Sequence, residues 1–362
     1  MKILHLINYT GGGGTESYIY SLAEKLHGET CEFFIAYSEK GNSFDRFQEM
    51  GIEMIHLPMK SPYDLGAAKE LKKICQDRDI DLIHTHFLRE NYISIISKIL
   101  GNRLELINTR HMLDENSSLV KMTNRLMTRF NKNIIAVSQA VEDLLLDELG
   151  SSDRIELIYT GIDRDRWVLD ETDFRDEFNI DEETTLLTST ARFSKEKGHE
   201  FLLRSIARMK ENSYDKDLDF KFILVGDGEL LEPMIQLAKD LNIYDHIIFT
   251  GYRSDIANIL NSSDIFICMS EKEAFGISIL EAMASKLAVI STDSGGTGEI
   301  VTDGDTGILL DFGDIDSLSL SMAKLIEDKE LRDFYAKKAF DLVGDKFNLD
   351  KTACETYDLY KK

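Results

Sequence analysis

The sequence predicts an α/β protein of two doubly wound domains, each built on a parallel sheet, facing across a cleft. Short apolar runs alternate with helix-length segments in two separate series. A polar, highly charged stretch, Asp163–Thr184, divides the two. Glycine, basic or acidic residues recur where the strands end, and parallel sheets bind ligands at that end.

In the first series Lys2–Asn8 is an apolar strand, Glu16–His27 an amphipathic helix and Cys31–Tyr37 the next strand. Ile52–Leu57 follows as a short strand, then Gly66–Asp77 as a helix and Asp81–Thr85 as a strand. Leu104–Thr109 and Asn133–Val137 repeat the pattern, each after a helical segment. Near-continuous apolar runs of this length suit strands covered on both faces. The second series has strands at Thr185–Ala191, Lys221–Val225, His246–Thr250, Ile265–Met269 and Leu287–Thr292. Helices His199–Lys210, Leu230–Leu241, Asp255–Asn261 and Ile277–Ser285 lie between them, and Asp316–Asp328, Leu331–Leu342 and Leu349–Tyr360 close the chain. The expected divisions are an N-terminal domain over 1–165, a linker over 166–184, a C-terminal domain over 185–345, and a last helix over 346–362 packing back on the first domain.

With 362 residues, 43% apolar and 30% charged, the chain has room for two separate cores and the make-up of a soluble globular protein. The net charge of −23 is uneven: up to Asp165 there are 19 basic against 25 acidic residues, which leaves −17 for the remainder. Nucleic-acid binding needs a basic footprint and is not expected. The opening residues Met1–Asn8 are too quickly interrupted for an export signal, and no apolar run approaches membrane-spanning length. Cys31, Cys75, Cys268 and Cys354 show neither metal nor redox spacing, so a cytoplasmic location is expected.

The loop Ser270–Gly276 joins a buried-type strand to the helix Ile277–Ser285, with Glu273 in the loop and Glu281 in the second helical turn. The helix start at Phe275-Gly276-Ile277 offers unpaired N–H groups and a positive dipole end, which suits a phosphate. Two hydroxyl-accepting carboxylates around an anion site suit a sugar nucleotide. Taken alone, the pair also reads as a solvated loop Glu and an ordinary helix Glu.

Other strand ends add to it. The run Gly11-Gly12-Gly13-Gly14 follows the first strand. With Ser17, and Glu39 about 20 residues onward, it imitates a dinucleotide fingerprint, so an oxidoreductase is one reading. A loop whose Gly13 and Gly14 approach another ligand is the alternative. Arg192 and Lys197 can meet one diphosphate from two directions, the first as a fork and the second as a point charge. Gly226-Asp227-Gly228 allows close backbone approach, and Tyr252 and Arg253 either flank a base or form a surface turn. His84 and His86 end one strand and His111 follows another; by residue type alone each reads as structural before catalytic. The Asp163/Asp165 and Asp303/Asp305 pairs invite a metal, but so acidic a chain generates such pairs easily.

Together, Arg192…Lys197-Gly198, Gly226-Asp227-Gly228, Glu273…Glu281 and Gly295-Gly296…Glu299 resemble the signature set of the retaining glycosyltransferases of family four (glycosyl transferases group 1), which have the GT-B fold of two Rossmann-like domains. Gly11–Gly14 and Thr160-Gly161-Ile162-Asp163 fit in order, so the resemblance covers nearly the whole chain. It implies that Glu273 contacts the donor sugar's hydroxyls, Glu281 holds the ribose, and Arg192 and Lys197 neutralise the diphosphate with N–H groups near Gly276 and Ile277. His111 would face the donor sugar. Two positions depart from the family's pattern: Thr160 often stands as Asn, and Gly298 as Pro, a change expected to loosen the final turn.

The resemblance further implies hexosyl or N-acetylhexosaminyl transfer with retention, from a UDP-sugar ahead of a GDP-sugar, to a glycan or lipid-linked acceptor in cell-surface polysaccharide or glycolipid assembly. No cofactor or catalytic metal is expected. A sugar-nucleotide epimerase on the same architecture and a noncatalytic sugar-nucleotide binder are the alternatives. Lys121, Arg125 and Arg129 recur at helical spacing within Ser117–Asn133, with Leu119, Met122, Leu126, Met127 and Phe130 between them. Such a basic amphipathic helix suits a peripheral contact with an anionic membrane face, or else a core-packed helix with a solvated side.

Overall fold

The computed structural model describes residues 1–28, 30–114, 116–212 and 218–362. These form two compact units, Met1–Gly161 with Leu349–Lys362, and Ile162–Asn348. The first contains β1 (Lys2–Thr10), β2 (Glu32–Lys40), β3 (Glu53–His56), β4 (Leu82–Thr85), β5 (Glu105–Arg110), β6 (Asn133–Ala136) and β7 (Ile155–Leu157). They pair in the order β3-β2-β1-β4-β5-β6-β7, all parallel. The second contains β8 (Thr185–Thr190), β9 (Phe220–Val225), β10 (Ile247–Gly251), β11 (Ile265–Cys268), β12 (Ala288–Thr292) and β13 (Ile308–Leu310). Their order is β10-β9-β8-β11-β12-β13, again all parallel. Each order reverses once, between β1 and β4 and between β8 and β11. At such a switch point the loops diverge and leave a crevice beyond the strands' carboxyl ends.

Alternation along the strands explains the layers. On β8 and β9, Leu187, Phe222 and Leu224 enter one core with Phe201, Leu202 and Ile206 of the helix His199–Asn212. Their neighbours Leu186, Ile223 and Val225 point to the other face and meet Phe174 and Ile259. β11 and β12 are buried along their whole length, as the apolar runs required.

The stretch expected as a linker is folded into the second unit. Phe174 is fully buried against β8 and β9, and the Arg175 guanidinium donates to the carbonyls of Asp181, Thr184 and Ser262 and to Asp264. Its few apolar residues lack a period, yet one buried aromatic and one arginine secure it. β7 and β13 were not foreseen, because three residues are too few to show a period. The terminal helix Leu349–Lys361 belongs to the first unit, where Lys25 on the helix Gly14–Leu26 pairs with Asp350 at 2.8 Å.

Candidate active site

Lys197 follows β8 and Glu273 follows β11, so the switch point of the second unit brings them together. The Lys197 ammonium donates to Glu273 Oε2 at 2.6 Å, with about a fifth to a quarter of each side chain exposed. Burial lowers the lysine's pKa, but the charge of Glu273 and its hydrogen bond outweigh this and raise it, so Lys197 stays charged.

Backbone hydrogen bonds stitch the strand-end loops around this pair. Ala191 N–H reaches the carbonyl of Val225, and Phe193 N–H that of Asp227, which links the loops after β8 and β9. Gly226 N–H bonds Gly251 O, and Glu271 N–H bonds Glu196 O. Glu273 itself pairs with Gly295: its N–H reaches Ser294 O, and its carbonyl accepts from Gly296 N–H at 2.9 Å. The glycines exist for these contacts. A Cβ on Gly198 would sit 2.0 Å from Met269 O, and one on Gly226 would sit 2.1 Å from Ala191 O, both at positive φ. Gly226 is expected to allow close backbone approach; both glycines permit the approach of one loop to another. The final turn is not loosened at Gly298: Thr297 Oγ1 donates to Thr292 O and accepts from Ser294 N–H, and a Cβ at Gly298 would press on Asp293 Oδ1.

Gly276, at φ 112°, turns the buried Phe275 into the helix Ile277–Ala284, whose first N–H groups lie beside the Glu273 loop. Glu281 is half-buried in its second turn, and Arg192 and Asp227 are exposed at the ends of β8 and β9. Arg253 stands apart. Its guanidinium forms forked pairs with both Glu177 and Asp255, at 2.7 to 2.9 Å. The hydrogen bonds from Arg253 hold the Asp255 carboxyl down to about 2. Arg253 therefore clamps the 174–177 helix to the β10 loop, while Tyr252 beside it is exposed.

The first unit collects histidines at its own switch point. His5 on β1 hydrogen-bonds through Nδ1 to His86 Nε2 at 3.0 Å, and His86 Nδ1 to His111 Nε2 at 3.1 Å. His84 on β4 lies against both, with Nδ1 on the Tyr360 hydroxyl and Nε2 on Thr109 Oγ1, each at 2.7 Å. Burial drives His5 and His111 to about 3 and His84 and His86 well below the ordinary range, so all are neutral at physiological pH. Among the described residues, His5, His84 and His86 bring ring nitrogens within 4.8 Å of one another, as a metal site would require. Their rings, however, lie stacked or tilted with centroids 4.5–5.3 Å apart, and every ring nitrogen except His5 Nε2 is engaged, by another ring of the set, His111, Tyr360 or Thr109. Rings converging on one ion point their lone pairs at a common centre instead. The sequence singled out His111 and left its backing unseen, because His5 lies within an unbroken strand.

Glu16 was also missed. Its two carboxylate oxygens accept from Gly11 N–H and Gly13 N–H at 3.1 Å each, so the glycine loop already holds an internal anion, and Gly13 and Gly14 are exposed above it. Burial raises the Glu16 carboxyl, against the pull of those bonds. The signal was present: Glu three residues past a helix-opening glycine is the reciprocal half of a capping box.

The helix Ser118–Met127 is turned the other way from a core-packed helix with a solvated charged side. Lys121 pairs with Asp147, and Arg125 Nε donates to Glu148 O, so both cations face the helix Gln139–Leu149. Leu119, Met122 and Leu126 are each more than half exposed, with Phe130 and Met112 beside them in sequence also exposed. Beneath, Arg110 and Glu148 form a buried pair at 2.7 Å. No described helix is long and apolar enough to cross a membrane.

Comparison with known proteins places this geometry. The model of the glycosyl transferases group 1 matches residues 170–341, and that of Glycosyltransferase Family 4 matches residues 12–166. The N-acetyl-alpha-D-glucosaminyl L-malate synthase of Bacillus anthracis is 28% identical over 87% of this chain and 83% of its own. The UDP-Gal:alpha-D-GlcNAc-diphosphoundecaprenol alpha-1,3-galactosyltransferase of Escherichia coli is 24% identical over 82% of this chain and 79% of its own. Among solved structures, Anabaena Alr3699/HepE in complex with UDP and glucose superposes with a TM-score of 0.88 at 20% identity, covering 100% of this chain and 99% of that one.

Proposed function

We propose that this chain, which belongs to the group 1 glycosyltransferases of the GT-B fold, moves a hexosyl or N-acetylhexosaminyl group with retention from a nucleotide-diphosphate sugar to a hydroxyl of a glycan or lipid-linked acceptor in cell-surface polysaccharide or glycolipid assembly. A UDP-sugar is the favoured donor. The observation that carries the proposal is the Lys197–Glu273 contact at the β8/β11 switch point. An arriving diphosphate competes with Glu273 for the lysine and frees the carboxylate to accept sugar hydroxyls. Lys197, Arg192 and the first N–H groups of the helix Ile277–Ala284 then stabilise the charge that grows on the leaving diphosphate. Glu281 clamps the ribose, and the acceptor hydroxyl enters on the face the diphosphate leaves, giving it its proton. His111 acts on the donor sugar. Two relatives named for sugars carried on diphospho-undecaprenol support the acceptor class, while the Bacillus anthracis relative is named for malate, a small hydroxy acid.

The outward apolar stripe of the helix Ser118–Met127 suits insertion among lipid chains, with Arg129 and Lys132 following it as partners for anionic headgroups. The enzyme would then work at the membrane surface, where lipid-linked acceptors lie.

Incubation with UDP-, GDP- and ADP-sugars, with and without a lipid-diphosphate-linked sugar, tests the activity. Transfer that needs the acceptor is expected, and Glu273→Ala should lower it by about a hundredfold or more with the fold intact. Epimerisation of the donor without acceptor, or full transfer by Glu273→Ala, would refute it.

A further inference from the structure

The three-ring chain His5–His86–His111 fixes more than position. Both ring nitrogens of His86 are hydrogen-bonded, to His5 Nδ1 and to His111 Nε2. A neutral imidazole carries one N–H, so His86 must donate at one end and accept at the other. The two bonds therefore run in the same direction, and two directions are available. In the first, His111 Nε2–H donates to His86, His86 donates to His5, and His5 keeps its proton on Nε2. That nitrogen is buried and meets no partner, which would leave an orphaned donor. In the second, His5 Nδ1–H donates to His86 Nε2, and His86 Nδ1–H donates to His111 Nε2. His5 Nε2 then carries only a lone pair, and buried orphan N–H groups are the rarer fault. The second direction is favoured. It places the His111 proton on Nδ1, which no described residue bonds but which, unlike His5 Nε2, is not a buried orphan, because His111 is part-exposed.

We propose that His86, aligned by His5, is a positioning residue that locks His111 in the Nδ1–H form, so that His111 meets substrate as a hydrogen-bond donor and not as a base. The role in transfer rests on the function proposed above; the lock does not. A donor suits a substrate oxygen such as a sugar hydroxyl, and it leaves the acceptor's proton to the departing phosphate. His84 supports the chain from the side. Its ring stacks on His86 at 4.5 Å, and its nitrogens are held by Tyr360 and Thr109, two residues before His111 on the way out of β5.

Long-range ¹⁵N–¹H correlation spectra of the full-length protein read the tautomer directly. The expected spectrum shows His111 with Nδ1 protonated and Nε2 bare across pH 6 to 8, and His5 protonated at Nδ1. His86→Asn keeps an N–H donor near the Nδ1 position, so it should hold this tautomer and stay within a few-fold of wild-type kcat. His86→Phe should release the lock, bring up an Nε2–H population at His111, and lower kcat by roughly tenfold or more with donor KM little changed. His111 found as Nε2–H in the wild-type protein would overturn the proposal even if no variant folds. Equal kcat in folded His86→Phe and wild type, with His111→Phe inactive, would overturn it too. Full activity in His111→Phe, with the Nδ1–H tautomer intact in the wild type, would instead refute the role of His111 in transfer.

Discussion

The residues at the β8/β11 switch point divide into charged side chains proposed to meet the substrate and glycines that let the loops around them close up. Lys197 and Glu273 were legible in the sequence, because a charged residue past a strand end has few other reasons to be there. Gly198 and Gly226 were legible as positions but not in purpose, since only the fold reveals which carbonyl presses on each. Gly198→Ala should therefore destabilise the second unit by about 2–3 kcal/mol through its positive φ and the encroachment on Met269 O, measurable as a shift in the urea midpoint. A change under half a kcal/mol would show that the loops can part freely. The partners of Arg253 were hidden for the same reason: Glu177, far away in sequence, takes up its fork. Glu16 hid behind the glycines it fills.

Elements with a long apolar period were read correctly from the sequence, and elements of three residues were not read at all. The helix Ser118–Met127 shows where periodicity stops helping: it identifies two faces without saying which is inward. The face towards the neighbouring helix holds the buried Asn124 and the bound cations Lys121 and Arg125, because Asp147 and Glu148 wait there. Removing those cations would thus perturb the protein's own packing as much as any membrane contact. A Leu119→Gln/Met122→Gln/Leu126→Gln variant is the sharper probe. It should keep transfer to a short soluble acceptor and lose most co-sedimentation with vesicles containing anionic lipid; unchanged sedimentation would exclude this face. The pair beneath is structural. Arg110→Ala leaves the Glu148 carboxylate buried without its cation and should cost about 3–5 kcal/mol in stability, seen in thermal or urea melts.

At the scale of the whole molecule, the two units share a design, a parallel sheet with a cluster of polar side chains where strand order reverses, yet those clusters differ in electrostatics. The second uses charge in contact; the first buries neutral imidazoles. The unfolded chain protonates His5, His84 and His86 near the ordinary value of 6.5, whereas burial keeps them neutral in the fold down to about 3 for His5 and well below the ordinary range for the others. Their contribution is present above 6.5 and is lost as pH falls from there, by about 1.4 kcal/mol per pH unit for each ring. Glu90 acts in the opposite sense. Burial raises it to about 7, so its carboxyl favours the fold at low pH and opposes it as pH climbs from 4.5 towards 7. Three rings outweigh one carboxyl. Protection of the β1 and β4 amides, taken relative to their intrinsic exchange rates, should fall steeply between pH 6.5 and 5, and unchanged protection would mean that the cluster is charged or solvated in the fold. The parallel sheets were implicit in the alternation of elements, but the strand order was not; nor was the imidazole chain, since it joins His5 on β1 to residues just past β4 and β5.

Isothermal titration of UDP into the wild-type protein and Lys197→Ala bears most directly on the site. If the diphosphate is held by Lys197 at the switch point, UDP binds the wild-type protein, and the substitution weakens it by roughly tenfold or more, about 1.4 kcal/mol, while both proteins melt alike. Equal affinity for UDP in the two proteins would place the nucleotide elsewhere and contradict the assignment.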